Sequence, residues 1–113
     1  GIKMVGEAKD ADELLDSLKT TAVDVIILDI YLDAMEELNN MNGFEVCGIV
    51  HQRYPDIKIV AHSVYDDADR VSRILREGAV GFVSKKSGFD VLLQSIKVVW
   101  VAEFLFALRL QGN

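Results

Sequence analysis

Cysteine and histidine are scarce in this chain of 113 residues, which contains one cysteine and two histidines. Cys47 therefore cannot form an internal disulfide, and its place on an apolar, helix-like face predicts a small buried core residue. His51 and His62 have no second histidine or cysteine at the spacing of a metal site, so we interpret both as core or edge residues. A reducing, cytoplasmic setting fits this composition.

Positive charge and long apolar runs are also in short supply. Twelve lysines and arginines face eighteen acidic residues, for a net charge of -6 without any basic cluster, which argues against nucleic acid as a direct partner. The most apolar stretch, 91–110, is interrupted by Gln94, Ser95, Lys97, Glu103 and Arg109. A bilayer span needs ~20 residues with few or no charges, so no membrane partner is expected.

Two enzyme signatures that depend on glycine are missing. The sequence has no glycine-rich phosphate-binding loop. Ser63 has no glycine at the flanking positions of a nucleophile elbow, which removes the usual hydrolase interpretation. No enzyme of either kind is therefore predicted.

What the chain does contain is an alternation of strand-like and helix-like segments. Residues 2–8, 23–29, 57–63 and 80–84 are short and rich in valine and isoleucine, and helical patterns cover 11–20, a segment opening at 42–43, 67–77 and 87–110. Candidate caps are Asp10 or Asp12, Asp66 or Asp67, and Ser87 of a capping box. This pattern predicts one α/β domain over 1–113, an open parallel sheet with helices on both faces.

Three of the strand-like runs end on polar residues. Asp29, Ser63 and Lys85 follow successive runs, and the carboxyl ends of parallel strands form the binding edge of such sheets. Taken alone, each residue has an ordinary interpretation: Asp29 as a helix cap, Ser63 as a turn residue and Lys85 as a solvated charge. Together they suit phosphoryl chemistry, in which a carboxylate attacks while an ammonium and a hydroxyl stabilise the phosphoryl oxygens.

The segments VGEAKDADELLDSL, DVIILDI, MNGFEV, IKIVAHSVYDD and REGAVGFVSKK together resemble a receiver domain of two-component response regulators. The resemblance is strongest to the branch with a LuxR/NarL-type effector. It implies a flavodoxin-like (CheY-like) fold, phosphorylation of Asp29 by a histidine kinase, and phosphoryl binding by Ser63 and Lys85. It also implies Mg²⁺ held by Asp29 and the backbone carbonyl of Tyr31.

The same resemblance assigns three aromatic residues. Phe82 matches the rotamer switch that turns inward as Ser63 moves toward the phosphate, although a plain core aromatic is an equally good interpretation. Tyr31 and Tyr65 match the variable positions beyond the acceptor and the hydroxyl residue. Bulky rings there would shield the acyl phosphate from water and slow its hydrolysis.

The chain departs from the family at its start. The family's sheet has the order 2-1-3-4-5, and this sequence begins at the second strand, which leaves 2–8 without its central neighbour. We favour truncation first and an inward move of 2–8 into a four-stranded sheet second; donation of a strand by another copy is the third explanation. The missing segment normally carries the acidic pair that binds Mg²⁺, so Mg²⁺ binding is in doubt unless Glu7 and Asp10 replace the pair.

The last segment, 87–110, is predicted as one long helix that is apolar on all sides, which indicates a partner surface. Receivers commonly dimerise through this region, so we expect a homodimer whose face includes Val91, Val99, Trp100 and Phe104. Two functional hypotheses remain. One is a phospho-accepting switch that regulates transcription, with no chemistry beyond self-phosphorylation and hydrolysis at Asp29; the other is a pseudo-receiver that serves as a dimerisation or interaction module.

Overall fold

The computed structural model describes residues 3–30, 43–64, 67–86, 88–99 and 104–109, in which strands and helices alternate. The strands are β1 (Lys3–Ala8), β2 (Val25–Ile30), β3 (Lys58–Ser63), β4 (Gly81–Ser84) and β5 (Phe104–Arg109). The helices are α1 (Ala11–Leu18), α2 (Gly43–Arg53), α3 (Ala68–Arg76) and α4 (Phe89–Val99). Within this part of the chain the five strands form one parallel sheet in the order β1-β5-β2-β3-β4.

The position of β5 contradicts two predictions. Residues 87–110 are not one helix: α4 ends at Val99, and 104–109 form a strand between β1 and β2. Phe104 therefore does not lie on the helix that was predicted to form a dimer face. The four-stranded sheet with 2–8 at its centre is also wrong, because β1 stays at the edge and pairs with β5.

The physical reason for the error is the composition of β5. A strand inside a parallel sheet is buried on both faces and is apolar without a period of two, so its pattern resembles a buried helix segment. Ala107, at 1% exposed, lies in register with Glu7 on one side and Ile27 on the other. Pairing with β1 and β2 gives the backbone donors and acceptors of β5 partners on both sides.

Alternation along β2 divides the core between the two faces of the sheet, as the predicted α/β architecture requires. Ile26 and Leu28 pack in the larger cluster together with buried residues of α1, α2 and α3. Val25 and Ile27 pack in a smaller cluster with Leu92 and Ile96 of α4, together with Val60, Val83 and Leu93. Helices thus cover both faces, and α4 is the described helix that packs on the second face.

The helix ends follow the sequence signals. Asp10 accepts a hydrogen bond from the backbone N–H of Glu13 at 2.8 Å, and Asp67 accepts one from the N–H of Arg70 at 3.1 Å, so these two are the N-caps. The Arg70 side chain also donates to Asp67 at 2.6 Å and lowers the pKa of its carboxyl. Gly78 after α3 has a φ of 124°, a conformation that favours glycine. The predicted cap Ser87 lies outside the described residues.

Cys47 and His62 are buried in the sheet and helix layers. Cys47 is 1% exposed, as predicted, and burial raises the pKa of its thiol to about 11, so it packs as a protonated, small apolar group at neutral pH. His62 is also buried, whereas His51 is exposed beside Gly78. Over the described residues, no helix combines the length and apolarity needed to cross a bilayer.

The buried place of β5 can be tested with one charge. Ala107→Asp should lower the free energy of unfolding by at least about 3 kcal/mol, because it buries an unpaired carboxylate. Ala68→Asp, at the exposed first residue of α3, is the matched control and should change it by less than about 0.5 kcal/mol. Chemical denaturation of both variants checks this; equal, small effects would mean that 104–109 is solvated.

Candidate functional site

The three polar residues at the strand ends lie on adjacent strands at one edge of the sheet. Asp29 is the penultimate residue of β2, Ser63 is the last residue of β3, and Lys85 directly follows β4. In register, Asp29 pairs with His62, one residue before Ser63. The structure thus brings the backbone positions of all three together at the carboxyl edge, where α/β sheets bind ligands.

Ser63 and Lys85 are joined directly through the backbone. The N–H of Lys85 donates to the carbonyl oxygen of Ser63 at 2.9 Å, and the N–H of Lys86 donates to the Ser84 hydroxyl at 3.2 Å. Ser63 is 3% exposed and Lys85 is half-buried. The bond between Lys85 and Ser63 makes the hydroxyl residue and the ammonium residue one connected unit beside β2.

Phe82 lies on β4 behind this unit. It is in register with Ala61 of β3, is half-buried, and packs against the larger core cluster. The aromatic ring therefore sits in the layer of α1, α2 and α3, three residues before Lys85. This placement agrees with a core aromatic and leaves the switch role a prediction.

Comparison with known proteins identifies the family. A family model described as the response regulator receiver domain matches residues 1–97. The chain belongs to this receiver family. The match stops before β5, so the strand between β1 and β2 lies outside it.

Similar curated proteins are response regulators of the predicted NarL/LuxR-type branch. The transcriptional regulatory protein DegU of Brevibacillus brevis is 31% identical over 97 residues, which is 86% of this chain and 39% of DegU. The response regulator GacA of Pseudomonas viridiflava is 27% identical over 103 residues, 91% of this chain and 45% of GacA. The chain thus spans less than half the length of these relatives.

Solved structures confirm the receiver fold. The receiver domain of NtrX from Brucella abortus superposes with a TM-score of 0.67 at 23% identity, covering 80% of this chain and 72% of that one. RcsB from Salmonella enterica serovar Typhimurium, solved on the promoter rprA with phosphomimetic BeF3-, gives a TM-score of 0.69 at 13% identity, covering 88% and 68%. At these identities the likeness shows the fold.

The structure does not test the Mg²⁺ site that the family resemblance implies, because Tyr31 and the side chain of Asp29 lie outside what it describes. Magnesium takes carboxylate and water oxygens, yet the described part of the chain holds no group of three or more His, Cys, Asp or Glu placed to bind a metal. Asp10 caps α1, and Glu7 is exposed on β1, two strands away from β2. The suggestion that these two replace the acidic pair therefore gains no support.

Sequence reasoning missed one residue of this edge. Arg109, the last residue of β5, is in register with Asp29, so a basic residue occupies the neighbouring strand end. Two features of the sequence could have indicated this strand. One is the unfilled position next to 2–8 in the predicted sheet, and the other is the apolar run 104–108 beyond the last predicted strand.

Several predicted site residues are not tested by this geometry. Tyr31, Tyr65 and Trp100 lie outside the described residues. Val91 is 52% exposed on α4, and Val99 is the last residue of that helix.

Proposed function

We propose that this receiver accepts a phosphoryl group from a histidine kinase on Asp29 and uses it to switch a dimer or effector interface that regulates transcription. The observation that carries the proposal is the placement of Asp29, Ser63 and Lys85 at the carboxyl ends of three adjacent parallel strands. The family relationship agrees with it, since the curated relatives are named as response or transcriptional regulators.

The proposed chemistry is a single displacement. A carboxylate oxygen of Asp29 forms a bond to phosphorus while the P–N bond of the kinase phosphohistidine breaks, and the imidazole nitrogen keeps the electron pair. The Lys85 ammonium and the Ser63 hydroxyl stabilise the charge on the phosphoryl oxygens. Hydrolysis of the acyl phosphate by water resets the domain, so no external substrate is turned over.

The proposed switch couples this edge to the core. Ser63 moves toward the phosphoryl group, and Phe82 turns into the space that this movement leaves. The backbone bond between Lys85 and Ser63 supports the idea because it ties the end of β4 to the residue that moves. Tyr31 and Tyr65 are proposed to shield the acyl phosphate and to slow its hydrolysis.

A second candidate function is a pseudo-receiver, a dimerisation or interaction module that does not accept phosphate. It is favoured by the basic residue Arg109, which lies in register with Asp29 at the end of the neighbouring strand. Phosphorylation separates the two candidates.

Phosphoryl transfer can be measured by intact mass. Incubated with phosphoramidate and Mg²⁺, the protein should gain one phosphoryl group, and Asp29→Asn should gain none because it lacks the nucleophile. Asp24→Asn, an exposed change just before the amino end of β2, is the matched control and should be labelled like the wild type. Absence of any gain in the wild type, or an undiminished gain in Asp29→Asn, would support the pseudo-receiver or a different acceptor.

The proposed dimer face on α4 can be tested by charge as well. Val91 is 52% exposed on α4, and Val80 is 47% exposed just before β4. Sedimentation should show a dimer for the wild type and for Val80→Asp, and a monomer for Val91→Asp, since a carboxylate in an apolar interface loses hydration. A wild-type monomer at high micromolar concentration would remove the dimer proposal.

A further inference from the structure

The turn that leaves β4 carries the proposed phosphoryl-binding lysine. β4 is the last of the described strands on its side of the sheet and pairs with β3. This pairing ends where Ser84 lies in register with Ser63, and Lys85 is the next residue. The direction of the lysine therefore depends on the hydrogen bonds of the turn that follows the paired residues.

Two backbone N–H groups of this turn are hydrogen-bonded, one on each side of the Lys85 side chain. The N–H of Lys85 donates to the carbonyl oxygen of Ser63 at 2.9 Å. The N–H of Lys86 donates to the hydroxyl oxygen of Ser84 at 3.2 Å, a local bond in which a serine side chain holds the backbone two residues on. The first bond restrains the backbone before the Lys85 Cα, and the second restrains it after that atom. Together they set the direction of the Cα–Cβ bond of Lys85.

We propose that Ser84 is a positioning residue for phosphoryl transfer, whose hydroxyl holds the turn 84–86 so that the Lys85 ammonium is in place when the phosphoryl group arrives. The inference rests on the proposed function of Asp29, Ser63 and Lys85. Charges that stabilise a transition state act best when they are fixed beforehand, because no reorganisation is then needed during the reaction. A misplacement of about 1 Å can cost about 100-fold in rate. Ser84 acts through Lys85 rather than on the phosphoryl group itself.

The first test measures the geometry by amide hydrogen exchange, without a phosphodonor. The Lys86 amide of the wild type should exchange about tenfold more slowly than in an unstructured peptide. This protection should be lost in Ser84→Ala, which removes the acceptor, and kept in Ser84→Thr, which retains a hydroxyl. Ser72→Ala, at an exposed position of α3, is the matched control and should leave the Lys86 amide unchanged. An unprotected amide in the wild type, or protection that survives in Ser84→Ala, overturns the proposal.

The second test measures the rate of labelling with phosphoramidate in Mg²⁺ by intact mass. In this reaction an Asp29 oxygen forms a bond to phosphorus while the P–N bond breaks, and ammonia leaves with the electron pair of that bond. Ser84→Ala should slow labelling about tenfold, because the lysine is then less well placed. Ser84→Thr and Ser72→Ala should stay within about twofold of the wild type. A wild-type rate in Ser84→Ala overturns the proposal.

A double-mutant cycle with Lys85→Met separates positioning from a merely structural role. Lys85→Met alone should slow labelling about 100-fold, the scale seen when one transition-state donor is removed. In that background Ser84→Ala should change the rate by no more than about twofold, because the residue through which Ser84 acts is already gone. Equal effects of Ser84→Ala in both backgrounds, which a general loss of folding would also produce, overturn the proposal.

The outcomes separate this proposal from the proposed function. Wild-type labelling that is insensitive to Ser84→Ala overturns the positioning role and leaves Asp29 as the proposed acceptor. Absence of labelling in the wild type, with a Lys86 amide whose protection depends on Ser84, overturns the proposed function and with it the role of Ser84 in transfer, while the hydrogen bond stands.

Discussion

The fold depends on backbone hydrogen bonding between β1 and β2, which lie one strand apart. The N–H and C=O groups on the facing sides of these two strands need partners, and a single strand between them can supply both sets. Backbone donors and acceptors inside a sheet must be paired, and β5 meets this requirement on both sides at once. Without it, β1 would separate from the sheet and the buried face of β2 would open to water. The loss would exceed the ~5–15 kcal/mol that stabilises a typical domain.

This requirement explains why residues 104–109 lie inside the sheet, between β1 and β2. The family's sheet order places its first strand between the strands that correspond to β1 and β2, and here 104–109 take that position. In the sequence, only residues 100–103 separate the end of α4 from the start of β5. Within the described residues, 104–109 thereby complete a parallel sheet of five strands.

Local signals predicted most of the elements, and one long-range requirement escaped them. Short patterns predicted Gly78 after α3 and the buried Cys47, and the structure confirms both. They also offered two candidate caps for each of α1 and α3, from which the structure selects Asp10 and Asp67. The run 104–108 carries no such pattern, because uniform apolar composition suits a buried helix and a central strand equally well. What decides between a helix and a strand here is the pairing of this run with β2. That pairing joins residues about 80 positions apart in the sequence.

The same strand also adds a residue to the edge where the proposed site lies. The positions of Asp29, Ser63 and Lys85 could be predicted, because each follows a recognisable strand of a parallel sheet. The basic residue in register with Asp29 could not be predicted, because it depends on which segment lies between β1 and β2. β5 thus fills the sheet between β1 and β2 and also brings Arg109 into register with the proposed acceptor Asp29.

Amide hydrogen exchange followed residue by residue tests the central position of β5 most directly. The amides of 104–109 should exchange as slowly as those of 25–30, and their protection should not change between two protein concentrations, since the strand comes from the same chain. Exchange of 104–109 at the rate of an unstructured peptide, while 25–30 stay protected, would contradict the account.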